Sequence, residues 1–480
     1  MSQTHSAQPR YELGMVGLGV MGRNLLLNMA DHGFPVVGYD QDPAKVDALR
    51  QEAGSLDLAG VNDLQGLLAV LRVPRAVMLL VPAGAPVDEV IGELAPRMQA
   101  GDLIIDGGNS YFKDTDRRAV SLAAQGLNFL GLGVSGGEEG ARRGPSLMPG
   151  GAPEAYQRAR PLLEAVAARA GGDPCVAHLG PGSAGHFVKM VHNGIEYALM
   201  EFIAESYDLM KRGLAMDNAG IRKSFQAWSE GRQGGYLMEI TARIFARQDS
   251  LGGQDLIDAV LGVARQKGTG MWTSQSAMEL QVPASTLALA VAQRDLSALD
   301  RQREQAGRAL PRTPETYRIE GDRETFLAHL AQALQASMVM AFAQGMALLT
   351  VASDRYGYRL ELATVARIWR GGCIIRTPLL EDIRAAYGLQ PTLANLLLDP
   401  DLGRMVLDRE ESLRTVVCAG ARTGIPIPGL MTALAYLDGY RSPWLPANLI
   451  QAQRDCFGAH TYERVDRPGQ FHTEWERERD

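Results

Sequence analysis

Lys189, His192, Asn193 and Glu196 fall at i, i+3, i+4 and i+7 of the stretch GHFVKMVHNGIEYALMEF (185–202). A helix there carries all four on one side. An amine and a carboxyl two turns apart are a base and an acid in waiting. To accept a proton a lysine must be neutral, so its pKa has to fall from about 10.4 through burial or nearby positive charge. A glutamic acid that donates one needs the opposite shift. By spacing alone a stripe of this composition is ordinarily a solvated face. Phe187, Val188, Met190, Val191, Ile195, Leu199 and Met200 surround it with apolar residues, which suits a buried helix lining a cleft.

A second constellation lies near the start of the chain. Gly17-Leu18-Gly19-Val20-Met21-Gly22 has the GxGxxG spacing between an apolar run and an amphipathic stretch from Arg23 to His32. Gly17 permits a tight turn, Gly19 lets backbone approach a pyrophosphate, and Gly22 lets helix and strand pack closely. The N–H groups of Val20 and Met21 at the helix start then face the phosphates. Asp40 ends the next apolar run, where a carboxylate can accept from the adenosine ribose hydroxyls and would repel a 2′-phosphate. Gln41 and Asp42 follow it, with no arginine beside them. Two carboxylates and no cation favour NAD over NADP; the bland alternative is that Asp40 only caps the turn before Pro43.

These residues need a scaffold, and the chain announces one. ELGMVGLG (12–19), FPVVGYD (34–40), RAVMLLVP (75–82), DLIIDGG (102–108), LNFLGLGVSG (127–136) and CVAHLG (175–180) are short apolar runs bounded by glycine or proline. Separated by helical patterns, they predict six strands of a parallel, doubly wound α/β sheet with right-handed crossovers. Past residue 180 the strand signals fade and long helical patterns dominate. The expected division is a Rossmann-like dinucleotide-binding domain (1–184), a large all-α domain (185–440) and a C-terminal tail (441–480). FQAWSEG (225–231) and VARIWRGG (365–372), each after a long apolar helix, hint at an internal duplication.

The bulk numbers set limits. A length of 480 residues implies more than one core, and 46% apolar with 21% charged residues is a soluble globular composition. A net charge of −7 argues against a general nucleic-acid binder and requires a local cation cluster to hold an anionic substrate. Cys175, Cys373, Cys418 and Cys456 are far apart, with no metal-ligand spacing, as expected of reduced thiols in a cytoplasm and of a site without metal. The most apolar helical stretch, 326–352, contains His329, Gln332, Gln335 and Gln344, so a buried helix is expected there and no membrane span.

Longer motifs carry a resemblance. GVSGGEEGAR (133–142) continuing to PSLMPGG (145–151) is similar to the substrate loop of 6-phosphogluconate dehydrogenases, and GHFVKMVHNGIEY resembles their catalytic helix. DGGNS (106–110), QKGTG (266–270) and LPANLIQAQRDCFGAHTYER (445–464) match further motifs in the same order, so the likeness runs from about Gly14 to about Phe471. The resemblance implies oxidative decarboxylation of 6-phosphogluconate to ribulose 5-phosphate and CO2, within the pentose phosphate pathway. Lys189 would be the base and Glu196 the acid. Asn109, Ser135, Gly136, Gly137, His192, Asn193 and Tyr197 would contact the substrate, Asn109 also touching the cofactor. Lys267, Thr269 and Arg294 would hold the phosphate, with Arg454 and His460 of a second copy completing the site in a homodimer.

Three departures qualify it. NADP-dependent members of the family carry Asn-Arg-Thr where this chain has Asp40-Gln41-Asp42, so NAD is the expected cofactor and NADP a possible one. Arg143 and Met271 replace a common Tyr and a frequent Lys. The family's Gly-rich terminus is missing. The rival readings are another β-hydroxyacid dehydrogenase, which does not need Lys267, Arg294, Arg454 and His460 together, and an NAD-binding protein without catalysis.

Overall fold

Leu13–Val16 (β1) is buried along its whole length, as a short apolar run must be in the middle of a sheet covered on both faces. In the computed structural model, which describes residues 10–311 and 318–475, β1 passes through the glycine turn into α1 (Val20–Asp31). There follow β2 (Val36–Tyr39), α2 (Pro43–Ala53), β3 (Leu58–Gly60), α3 (Leu64–Val70), β4 (Ala76–Leu79), α4 (Ala85–Leu94), β5 (Leu103–Asp106) and α5 (Phe112–Ala123). Next come β6 (Asn128–Ser135), α6 (Gly137–Arg143), β7 (Ser146–Gly151), α7 (Pro153–Val166) and a two-residue hairpin, β8 (Arg169–Ala170) with β9 (Asp173–Pro174). The main sheet runs β3-β2-β1-β4-β5-β6-β7. Strand order reverses between β1 and β4, which opens a crevice beyond the carboxyl ends of the strands, where ligands of such sheets sit.

The doubly wound expectation holds, with two corrections. The sheet is not wholly parallel, because β7 runs antiparallel to β6 over six residue pairs. CVAHLG is not a regular strand. It follows β7 through Leu147 N–H to Cys175 O (2.9 Å) and Leu179 N–H to Pro149 O (2.9 Å), with one bridge at Val176. Pro149 has no N–H to continue that ladder. β3 and β7 carried no strand signal of their own.

The helical part opens with α8 (Ala184–Asp208), extended by a π turn to Gly213. It continues with α9 (Asn218–Ser229), α10 (Tyr236–Ile244), α11 (Leu256–Ala259), α12 (Thr269–Glu279), α13 (Ser285–Ser297) and α14 (Asp300–Ala309). Then come α15 (Arg323–Tyr356), α16 (Leu362–Trp369), α17 (Leu379–Leu389), α18 (Pro400–Leu407), α19 (Glu410–Thr423) and α20 (Pro428–Tyr440). By its contacts the chain divides into two compact units, one ending at Ala433 and one beginning at Leu434. α15 is long and apolar enough to cross a membrane, yet 78% of its most apolar stretch is buried inside the protein, where it packs on α8 and α19. Trp228 and Trp369 close α9 and α16, and both are buried.

Small residues bring α8 onto the sheet. A Cβ added at Gly133 in β6 would stand 2.5 Å from Lys189 Cβ, and one at Gly150 in β7 would stand 2.3 Å from Gly185 N. Any side chain there would push the helix off. At its far end α8 carries Glu205, whose carboxyl accepts from Gly429 N–H (2.5 Å) and Leu430 N–H (2.9 Å) at the start of α20. Burial pushes Glu205 up to about 8 against these two bonds. The native state therefore holds this proton more tightly than the unfolded chain does, so its stabilising contribution is full below an ordinary carboxyl pKa and fades as pH rises to about 8. Glu205→Gln should flatten that part of a plot of Tm against pH, whereas an unchanged slope would assign the dependence elsewhere.

Candidate active site

The four-residue stripe of α8 does not face water. Lys189 is 5% exposed, His192 0% and Asn193 8%. Glu196, one turn further on, keeps a side chain that is 20% exposed. The ridge is ordered by one hydrogen-bond chain. Asn193 donates its amide to Thr269 Oγ1 (3.2 Å), at the start of α12, which turns its carbonyl oxygen towards His192 Nδ1 (3.0 Å). Nδ1 then carries the proton and Nε2 accepts from Ser135 Oγ (3.2 Å), at the end of β6. Lys189 Nζ stands 3.5 Å from that Nδ1 and Glu196 Oε2 stands 3.8 Å from it. The imidazole thus turns an N–H edge, not a lone pair, towards the amine.

Electrostatics follow from the burial. Desolvation pushes the Lys189 ammonium down, against the pull of Glu196. It pushes Glu196 up, against Lys189 and Arg294. Burial and the adjacent Lys189 hold His192 well below its usual value, so the imidazole is neutral. Cys373 is buried too, its thiol pushed up to about 12, and it donates to the Trp369 carbonyl (2.9 Å). The amine therefore has no thiolate beside it. The indole of Trp369 meets His192 edge-on at 5.5 Å. An amine pushed towards its neutral form and a carboxyl pushed towards its protonated form, on one ridge, suit the taking and returning of protons at neighbouring atoms of one bound molecule.

Gly136 and Gly137 follow Ser135 directly and start α6, Gly136 with a φ of 129° that only glycine adopts freely. Tyr197 is buried under Arg294, whose guanidinium carbon lies 3.4 Å from the ring centroid, and a Cβ at Gly270 would strike that ring at 2.5 Å. Lys267 is exposed and makes no hydrogen bond or ion pair among the described residues. Arg454 and His460 lie in the unit beginning at Leu434 and are exposed. Arg454 donates to Gln451 (3.0 Å). Asp455 takes Thr461 N–H, Thr473 N–H, His472 and Trp475, which folds the segment after α21 (Ala447–Gly458) back on itself. Arg143 is exposed and Met271 is 40% exposed, and nothing in the structure gives either a role.

The glycine turn fits a dinucleotide. Gly17 has a φ of 98°, and a Cβ on Gly22 would sit 1.9 Å from the Gly17 carbonyl oxygen, so both positions require glycine. A Cβ on Gly19 would meet nothing within 4 Å, so the space outside it is open for a pyrophosphate beside the N-terminus of α1, whose cap supplies no side-chain hydrogen bond. Asn109 is exposed on the turn after β5. Asp40 is buried and accepts from Leu18 N–H (2.8 Å) and Asp42 N–H (2.9 Å). The expectation of no cation at this carboxylate is corrected, because Lys45 on α2 donates to both its oxygens at 3.3 and 3.4 Å. Lys45 is five residues on in sequence but only a helical turn away in space, and the short interval read after Asp40 stopped before it.

The family matches and the most similar relatives agree with one another. Residues 12–180 match the family described as the NAD binding domain of 6-phosphogluconate dehydrogenase, and residues 185–475 match its C-terminal domain. The decarboxylating 6-phosphogluconate dehydrogenase of Synechococcus elongatus is 47% identical over 97% of this chain and 99% of its own length. The NADP(+)-dependent enzyme of Bacillus subtilis is 44% identical, again over 97% and 99%. Among solved structures, Plasmodium falciparum 6-phosphogluconate dehydrogenase, studied with NADP+ and with 6-phosphogluconate, superposes with a TM-score of 0.93 at 40% identity, covering 97% of this chain and 100% of that one.

Proposed function

Because this chain belongs to the 6-phosphogluconate dehydrogenase family and is a decarboxylating NAD(P)-dependent oxidoreductase, we propose that Lys189 and Glu196 are its base and acid in converting 6-phosphogluconate to ribulose 5-phosphate and CO2. The observation that carries the assignment is the buried ridge, on which burial pushes amine and carboxyl in opposite directions. Neutral Lys189 takes the proton of the C3 hydroxyl. A nicotinamide, when bound, accepts the hydride from C3. The β-keto acid then loses C1 as CO2 with the C1–C2 electrons flowing into the new carbonyl, and Lys189 returns its proton to the oxygen that gains charge. Glu196 protonates the carbon that carried the carboxylate, which becomes C1 of the ketose. Ser135, Gly136, Gly137, His192, Asn193, Tyr197 and Asn109 hold the sugar acid, and Lys267, Thr269 and Arg294 its phosphate end.

Gly17, Gly19, Val20, Met21, Gly22 and Asp40 receive the cofactor, NAD in preference to NADP. Asp40 and Asp42 stand where a 2′-phosphate would come, no arginine follows them, and the Lys45 amine is already shared by both oxygens of Asp40. Turnover of 6-phosphogluconate with each cofactor, read as reduced nicotinamide and released CO2, tests both claims. CO2 release separates this reaction from simple hydroxyacid oxidation. Asp40→Asn with Gln41→Arg should move the ratio of kcat/KM values towards NADP by about 30-fold or more, the worth of exchanging a repulsion for a charged hydrogen bond. Equal or better use of NADP by the unaltered protein would sink the Asp40 argument and leave the reaction intact.

The working assembly is a homodimer in the cytoplasm, in the pentose phosphate pathway. In it residues 1–184 serve the cofactor, 185–440 the substrate and the dimer, and 441–480 reach the second copy. Trp444, Leu449, Ile450 and Phe457 are 66%, 61%, 60% and 75% exposed, a concentration of apolar surface that a second copy would cover. The four cysteines are unpaired, as a reducing compartment keeps them.

A further inference from the structure

Arg118 on α5 is a cation without a role in the chemistry above, yet its side chain is 1% exposed. It spends its donors on two turns. Nε donates to Asp88 Oδ1 (2.8 Å) in the first turn of α4, and Nη2 to the Gly84 carbonyl (3.0 Å) that precedes α4. Nη1 donates to Asp106 Oδ2 (3.3 Å) at the end of β5 and to Ser110 Oγ (3.3 Å). Asp106 in turn accepts from Gly108 N–H (3.1 Å) and from Ser110 Oγ–H (2.7 Å). One guanidinium thus ties the turn after β4 to the turn after β5, with Asn109 exposed at the tip of the second.

Both turns lie at carboxyl ends of strands, on the β4 side of the crevice where the order reverses. The glycine turn and Asp40 lie on its β1–β2 side and would take the adenosine half of a dinucleotide. An extended dinucleotide must carry its nicotinamide half across to the β4–β5 side. α5 also braces the helix that bears Lys189, because Thr115 Oγ1 and His186 Nδ1 are 2.7 Å apart. The same helix therefore sets the two turns and steadies the start of the catalytic ridge. A buried guanidinium with fixed, planar donors suits that task; a lysine, with one point charge, could hold only part of it.

We propose that Arg118 is a positioning residue for the nicotinamide half of the cofactor, acting through the turns 81–84 and 107–110. This rests on the reading of the crevice as a dinucleotide site. The test uses the full chain with Arg118→Met and Arg118→Lys, measuring binding of ADP, which fills the adenosine half alone, beside steady-state kinetics with NAD and 6-phosphogluconate. ADP affinity is expected to stay within about twofold, while the KM for NAD rises about tenfold and kcat falls by about 10- to 100-fold, as for a misplacement of the order of 1 Å. Arg118→Lys should recover part of the loss. Should Arg118→Met fail to fold, Asp88→Asn, which weakens the bond from the guanidinium Nε and also the exposed Arg117–Asp88 pair, is expected to show the same split on a smaller scale, while Arg117→Met, which removes only that exposed pair, is expected to leave NAD kinetics unaltered. A folded variant with unaltered NAD kinetics, or with ADP and NAD weakened equally, overturns the proposal. An unaltered protein that binds neither NAD nor NADP would instead overturn the dinucleotide reading beneath it.

Discussion

Lys189→Met should lower kcat by about 100- to 10,000-fold, the usual worth of a general base, with hydride transfer and CO2 release lost together. In the proposed mechanism both steps draw on one amine, which first takes the C3 hydroxyl proton and then returns it to the oxygen that gains charge as the C1–C2 bond breaks. Methionine suits the site as an apolar replacement because Lys189 is almost wholly buried, so the loss is chemical and not structural. Lys189→Arg separates charge from basicity. It keeps a positive charge that does not deprotonate, and it should be as inactive as the methionine variant. Substantial activity in Lys189→Arg would mean that the charge matters and the base does not.

Glu196→Gln should behave differently. In the proposed order hydride transfer precedes the step that needs the carboxyl, so a first turnover of reduced nicotinamide should appear at a near-normal rate, followed by slow cycling. The pH profile separates the two groups by sign. Activity falls as pH drops through the Lys189 pKa, because the base becomes charged, and falls as pH rises through the Glu196 pKa, because the acid loses its proton. Burial lowers the first and raises the second, so both limbs move in towards neutrality. Glu196→Gln should remove the alkaline limb and leave the acid one. Retention of both limbs in that variant would reassign the acid.

Arg454→Ala should cut kcat/KM for 6-phosphogluconate by about 30-fold or more, since loss of a charged hydrogen bond to a phosphate costs about 2 kcal/mol or more. In the proposed homodimer that residue would serve the other copy's site, so two nearly inactive proteins should rescue one another. Mixed and reassociated with Lys189→Met, Arg454→Ala subunits give heterodimers in which one site combines an intact Lys189 with an intact Arg454. Random assortment then restores about a quarter of normal activity. Additive residual rates, with no rescue after subunit exchange, would show that each copy uses its own tail.

Much of the fold could be read before any coordinate. The apolar runs at 12–19, 34–40, 75–82, 102–108 and 127–136 all became strands of one sheet, because a strand buried on both faces needs only a short unbroken apolar stretch. The antiparallel β7 escaped, since Ser146–Gly151 contains a proline and two glycines and takes its strand character from pairing with β6. The reading of 175–180 as a strand failed for the complementary reason: its partner carries Pro149, and no property of the run itself reveals what its neighbour lacks.

The same division runs through the site. Helical spacing by itself put Lys189, His192, Asn193 and Glu196 on one ridge, and glycine spacing put the turn of residues 17–22 in front of a helix, because both patterns repeat within a few residues of backbone geometry. Only tertiary packing decided that the ridge is dry, that Ser135 and Thr269 set the proton on His192, and that Arg118 ties two distant turns. Burial and the pairing of charges depend on which surfaces meet, and residues separated by dozens or hundreds of positions leave no local period by which that meeting could be foreseen.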